Sequence, residues 1–396
     1  FHLRFLPRRI VLWHDGQPFD VRDVVGVTSI GQTTKRKQQI GFFGVGFKSV
    51  YEVTDRPQIH SDVWRFEIAD VSIPKALSAR PADAPEGGTV LVLPLRDPAD
   101  PLRSPAVLYA KACDLDAIVL LPLRSLEAIE LERVDERGNV TRHAVHELPP
   151  DARGISRIRQ EPEGRVRGFA VHDAEHVYTG GLRAPGRADR TRVMVGIRVD
   201  DDGVPRALEE DTPTLYSYLP TRERSGLRFF VQGHFDLPVD RERITQDSPW
   251  NEWILSKVPE GLASLAARLT ATEDLALRRR VAEGLLCVLP LPGELGSPLM
   301  RRMLPGLRQA FATLPVVPCE DGTLQPPGMT LLADDELAAL YEGEPVRTAQ
   351  GVRHLVRRDL QPRARELAKA LGAVEHGVGD LIDALEAKAR VVASAA

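Results

Sequence analysis

Between residues 40 and 51 the chain reads Ile-Gly-Phe-Phe-Gly-Val-Gly-Phe-Lys-Ser-Val-Tyr, and no other stretch restricts the backbone so much. Gly41, Gly44 and Gly46 carry no Cβ, so they can take positive φ and let a ligand approach the main chain. The residues after Gly46 make a good helix, whose free N–H groups would face the loop. A bare loop leading into a helix start is an anion site suited to a terminal phosphate. The same glycines can also serve only a tight turn and helix packing, and the surrounding sequence has to decide.

Two familiar phosphate patterns fail here. The Walker A loop needs Lys directly after its second Gly, whereas Phe47 stands before Lys48-Ser49 and no buried strand precedes the loop. The dinucleotide pattern G-x-G-x-x-G fails because Ser49 occupies the place of its last Gly.

Composition sets the outer limits. At 396 residues the chain exceeds one ordinary core and predicts two or three packed domains. With 43% hydrophobic and 27% charged residues it is neither a disordered nor a collagen-like chain. Its 52 basic and 56 acidic residues give a net charge of −4, so no overall field points to nucleic acid or a membrane surface. Cys113, Cys287 and Cys319 stand far apart with no CxxC pair, which excludes a disulfide framework or a thiolate-rich zinc site and points to a reducing compartment. The apolar runs near 117–123 and 284–291 are far shorter than the ~20 residues that cross a bilayer. The opening Phe-His-Leu-Arg-Phe has no initiator Met and reads as a strand, so the expectation is a chain cut from something longer.

Residues 1–14 read as two short strands joined by a turn at Pro7-Arg8-Arg9, and Asp15-Gly16-Gln17-Pro18 reads as a loop. Asp20 can cap a short helix carrying Val21, Val24 and Val25. Residues 31–39 are polar and predict a mobile loop. Strands are expected near 64–68, 90–95, 126–134, 165–172, 192–199 and 229–235, with a helix over 105–118. From Trp250 the period turns helical, with Ile254, Val258, Leu262, Leu265 and Leu269 on one stripe. The reading is an α/β unit at 1–115, a second α/β unit at 116–260 and a helical C-terminal region at 261–396.

The order of the pieces carries more than any one of them. His14-Asp15-Gly16-Gln17-Pro18-Phe19, Thr33-Thr34-Lys35, Gly41 to Tyr51 and Gly88-Thr89 follow one another along the chain. That order resembles the GHKL (Bergerat-fold) ATP-binding domain, in the branch shared by the ninety-kilodalton heat-shock chaperones and sacsin-type proteins. The resemblance implies an α+β two-layer sandwich of the GHKL type, with ATP and Mg²⁺ as cofactors. It implies that His14, Asp15 and Gly16 lie at the adenine, that Thr34 and Lys35 belong to a lid, and that Gly41, Gly44, Val45, Gly46 and Phe47 cradle the phosphates. Lys48 and Lys35 would add positive charge near those phosphates, though either can instead be a solvated surface residue. Thr89 would reach adenine through water, its plainer reading being strand propensity.

This sequence departs from the family pattern in two ways. With Gly16 on the family's first Gly, His14 takes the adenine-contacting position and Pro18 replaces the second Gly. The family's first helix, which carries the water-activating Glu and the Mg²⁺-holding Asn, is expected upstream of Phe1 rather than within this sequence. The expectation is poor hydrolysis by the chain as given, with the metal ligand upstream of residue 1.

Residues 215–251 are similar to the segment that follows the ATPase domain in sacsin-like proteins. Related chaperones send an Arg from this region to the γ-phosphate, which makes Arg241 the candidate and Arg243 the second. A planar guanidinium can hold phosphate oxygens bidentately, whereas the plainer reading pairs it with Asp240 or Glu242. His172-Asp173-Ala174-Glu175-His176 matches the zinc-peptidase spacing H-x-x-E-H, but strand-like neighbours and an expected turn argue for chance. The sequence therefore reads as a cytoplasmic, bacterial, chaperone-like ATP-binding module with unidentified protein clients. A non-catalytic interaction scaffold with a degenerate nucleotide site is the alternative. A histidine kinase would need a phosphoacceptor helix, and a DNA-repair clamp a basic surface.

Overall fold

In a computed structural model the described residues are 1–29, 47–82, 85, 87–180, 189–238, 242–334, 338–339, 341, 343–348, 351–377, 379, 381–382 and 386. The chain forms two compact units. The first takes residues 1–149, 157–166 and 181–189, and the second takes 150–156, 167–180 and 190–396.

The first unit opens with β1 (His2–Leu6) and β2 (Arg9–His14), the hairpin expected from the sequence. Helix α1 (Val21–Thr28) starts at Asp20, whose side chain accepts from the Arg22 and Asp23 amides while Asp23 reaches back to the Asp20 amide. Next come β3 (Gln58–Ser61), β4 (Trp64–Ala69), β5 (Ile73–Ala76) and β6 (Thr89–Pro94). Helix α2 (Pro105–Cys113), β7 (Ala128–Val134), β8 (Val140–Leu148) and β9 (Ile155–Glu161) follow. The strands lie in the order β5-β4-β3-β6-β2-β1-β7-β8-β9, and β1 runs parallel to β7.

Register assigns the faces of this sheet. Ile10 lies opposite Leu93, Leu12 opposite Leu91, Ile59 opposite Leu91 and Phe66 opposite Ile59, so these side chains share one face. Three helical segments cover that face. Val24 and Val27 of α1 pack on Ile59, Phe66 and Ile68, and Tyr109 of α2 packs with Phe5, Ile10, Leu93 and Leu131. The third segment is Phe47–Glu52, where the sequence predicts a helix start and the chain forms a 3₁₀ helix. Three residues per turn put Phe47, Val50 and Val53 in one row, and all three pack toward the sheet.

The second unit has β10 (Arg165–Val177), of which it takes the residues from 167 on, with β11 (Arg190–Val199), β12 (Pro205–Arg206), β13 (Leu215–Ser217), β14 (Leu219–Pro220) and β15 (Phe230–Gly233). Their order is β14-β13-β15-β11-β10, with β12 beside β11. Helices α3 (Pro249–Ser256) and α4 (Val258–Thr270) carry the predicted stripe: Ile254, Val258, Leu262 and Leu265 are buried with Val195, Ile197 and Val231. Next are α5 (Leu275–Val288), α6 (Pro298–Arg301) and α7 (Leu304–Phe311).

The helical reading of residues 261–396 has to be corrected beyond this point. The chain forms a hairpin of β16 (Val317–Pro318) and β17 (Leu324–Gln325). Strands β18 (Thr330–Leu332), β19 (Val346–Thr348) and β20 (Gly351–Leu355) precede α8 (Pro362–Leu371) and β21 (Val374–Glu375), giving a sheet in the order β19-β20-β18-β21. Strands of two to five residues are too short to impose a period of two on the sequence. Among the described residues no helix is long and apolar enough to cross a membrane.

Candidate nucleotide site

The ends of β2, β3 and β6 bring three polar residues together. His14 lies opposite Thr89 and Ser61 lies opposite Thr89, and this register puts all three on the helix-covered face. Thr89 and Ser61 are both buried, at 0% and 1% exposure. Their Oγ1 and Oγ atoms share a hydrogen bond of 2.6 Å, and the Phe19 amide donates to Ser61 Oγ at 2.8 Å. A buried hydroxyl without a partner would be costly, so this network fixes where the Asp15–Phe19 loop leaves the sheet.

Gly88 sits where this loop and the start of β6 cross. Its φ is +56°, and an added Cβ would stand 2.2 Å from the His14 carbonyl oxygen. Gly88 is thus required by this close backbone approach, with or without a ligand.

His14 and Asp15 are chemically complementary. The Gly16 amide donates to His14 Nδ1 at 3.2 Å, and burial lowers the His14 pKa, favouring the neutral ring. A neutral imidazole that accepts at Nδ1 carries its proton on Nε2, so the free edge of His14 is a donor. Asp15 is exposed and offers a carboxylate beside it. A donor and an acceptor thus stand on successive residues.

On the same face of the sheet, Phe47 packs with Ile59, Phe66 and Ile68. Lys48 Nζ donates to the Val27 carbonyl at 2.9 Å and to the Val71 carbonyl at 2.8 Å, and it lies 5.5 Å from the Tyr51 ring centroid. Thr34, Lys35, Gly41, Gly44, Val45, Gly46 and Arg241 lie outside the described residues. Arg243 is exposed, and its neighbour Glu242 pairs with Arg222. Ser61 went unnoticed in the sequence because only the register of β3 against β6 reveals it.

The H-x-x-E-H stretch lies within β10 rather than in the turn expected for it. Burial lowers the pKa of both His172 and His176, opposed by Glu260 of α4. Among the described residues no group of three or more His, Cys, Asp or Glu is placed to hold a metal ion.

Part of this stretch of sequence matches a known family. Residues 10–82 match the Sacsin domain. The Sacsin-domain match takes in His14, Asp15, Ser61 and Lys48, and ends just ahead of Gly88-Thr89. The chain is also 28% identical over 331 residues to Protein NO VEIN of Arabidopsis thaliana, an alignment taking in 76% of this chain. The chain spans only 12% of that relative's length. Among solved structures, the N-terminal domain of a DNA repair protein matches with a TM-score of 0.37 and 11% identity, over 62% of this chain and 82% of that one. That score is too low to carry an inference. Over residues 10–82, then, the chain is similar to the Sacsin domain.

Proposed function

We propose that the first unit is an ATP-binding module. The observation that carries this reading is the polar end of the sheet, where His14 and Asp15 pair a donor with an acceptor beside the buried Ser61–Thr89 bond. Adenine offers an amino donor next to a ring-nitrogen acceptor, which suits Asp15 and His14 Nε2–H respectively. The described residues therefore fit the base. Exposed Asp15 replaces His14 as acceptor for the amino group, because His14 has committed Nδ1 to Gly16.

In this reading the phosphates meet the amides of Gly41, Gly44, Val45 and Gly46, with Lys35 adding charge and residues 31–40 serving as a lid. ATP, with its Mg²⁺, supplies a polyanionic tail that makes such a loop favourable only when occupied. Hydrolysis is not required for a binding module of this kind.

Equilibrium dialysis of ATP against the protein and its Gly44→Ala and Gly46→Ala variants tests this. The expected result is saturable binding lost by at least about tenfold in each variant, one tenfold being ~1.4 kcal/mol. Binding that ignores both substitutions would remove the glycine segment from the site.

A further inference from the structure

Successive residues of β3 face opposite sides of the first unit's sheet. Ser61 faces the helices, so His60 lies on the other face, in a row with Val90 of β6 and Arg65 of β4. His60 is buried, at 1% exposure, yet neither of its ring nitrogens has a hydrogen-bond partner. Interiors rarely leave a polar ring so, because the lost hydration is not repaid. Arg65 stands directly opposite it, where a cation would repel a protonated ring. Arg80, beyond the end of β5, is half-buried: its Nη2 donates to the Gly87 carbonyl at 2.6 Å, and its Nε is buried without a partner. Burial lowers the His60 pKa, and the charges of Arg80 and Arg65 lower it further. No carboxylate answers this charge. Glu67, the next residue on this face of β4, lies 4.0 Å from Arg56 instead, and among the described residues neither Arg65 nor Arg80 has an acidic partner.

We propose that His60, Arg65 and Arg80 form a binding site for a small tetrahedral oxyanion, on the sheet face opposite His14, Ser61 and Thr89. The anion accepts from both guanidinium groups and from the imidazole N–H, which answers the orphaned donors and the uncompensated charge together. Arginine suits this task because its planar fork presents paired donors to oxyanion oxygens. The ring is buried, Arg80 is half-buried and Arg65 is exposed, so the cluster runs from the interior to solvent and the ion can enter past the guanidinium groups. The site uses none of the residues assigned to ATP and stands or falls without that reading.

NMR of the His60 ring in the nucleotide-free protein tests this, with separate titrations of sulfate, inorganic phosphate and glycerol phosphate. The expected result is a saturable shift of the His60 ring signals at millimolar anion. Arg65→Met and Arg80→Met should each weaken that binding by about tenfold, as loss of a charge-assisted hydrogen bond does. Sulfate does not itself titrate near neutrality, and once bound it should raise the His60 pKa by favouring the charged ring. By linkage its affinity should then rise as pH falls. Saturation by glycerol phosphate as well as by the free ions would mean that the site takes a phosphate carried on a larger molecule. Saturation by the free ions alone would mean an enclosed ion, and either result upholds the site. No saturable His60 shift with any of the three anions would overturn the proposal, and so would a shift that survives both arginine substitutions. The wild-type titration decides the first point even if a variant fails to fold.

Discussion

Two regions of this molecule place a histidine at a strand beside a glycine and an acidic residue, and their glycines are needed for different reasons. In the first unit His14 meets Gly88, and in the second His172 meets Gly261. An added Cβ at Gly88 would strike backbone, the His14 oxygen at 2.2 Å, with φ at +56°. At Gly261 the nearest atoms belong to side chains, Val195 Cγ2 at 3.0 Å and His172 Cδ2 at 3.3 Å. The first glycine lets two chain segments approach beside a half-buried histidine and an exposed carboxylate. The second lets α4 sit close to β10 and β11, and its histidine fills an interface. A motif's letters do not separate these cases, but the atoms beside the glycine do.

That contrast is broken most sharply by alanine. Gly88→Ala should cost at least about 3 kcal/mol in chemical denaturation, because positive φ and a backbone clash combine. Gly261→Ala should cost about 1 kcal/mol, since side chains can yield. Equal losses would mean that Gly88 is also a packing glycine.

Ser61→Ala and Thr89→Val should each cost about 1–3 kcal/mol by leaving a buried hydroxyl without its partner. The double variant should cost less than the sum, and a double-mutant cycle measures the difference. Additive losses would show that the 2.6 Å bond contributes nothing of its own.

Acid sharpens the comparison further. His14, His172 and His176 all have pKa values lowered by burial. The unfolded chain therefore takes up protons first as pH falls below about 6.5, so stability is full above that value and declines as pH passes through the folded pKa values. His172→Gln and His176→Gln should flatten that decline in melting temperature and leave ATP affinity alone. His14→Asn should instead flatten the fall of ATP affinity in the same window, since a protonated Nδ1 cannot accept from Gly16. The smallest effect is at Val71→Gly, where relief of positive φ and loss of a side chain nearly offset, leaving stability within about 1 kcal/mol.

Much of the first unit was legible in the sequence. The Asp20 cap of α1 and the hairpin of β1 and β2 declare themselves through local chemistry. Ser61 did not, because its role depends on which strand end it faces, and pairing partners are not written locally. For Lys48 the sequence left a charge near phosphate and a solvated surface residue both open, because its two carbonyl acceptors come from residues 21 before it and 23 after it. The strands within 317–375 escaped for a different reason: each is too short for its alternation to outweigh the surrounding helical spacing.

The central claim is that an adenine base is read at His14 and Asp15. Calorimetric titration of the protein with ATP and with GTP, repeated on Asp15→Asn, tests it most directly. The account predicts that ATP binds, that GTP binds at least about tenfold more weakly, and that Asp15→Asn removes that preference by turning an acceptor into a mixed group. Equal affinity for the two nucleotides, or a preference that survives Asp15→Asn, would contradict it.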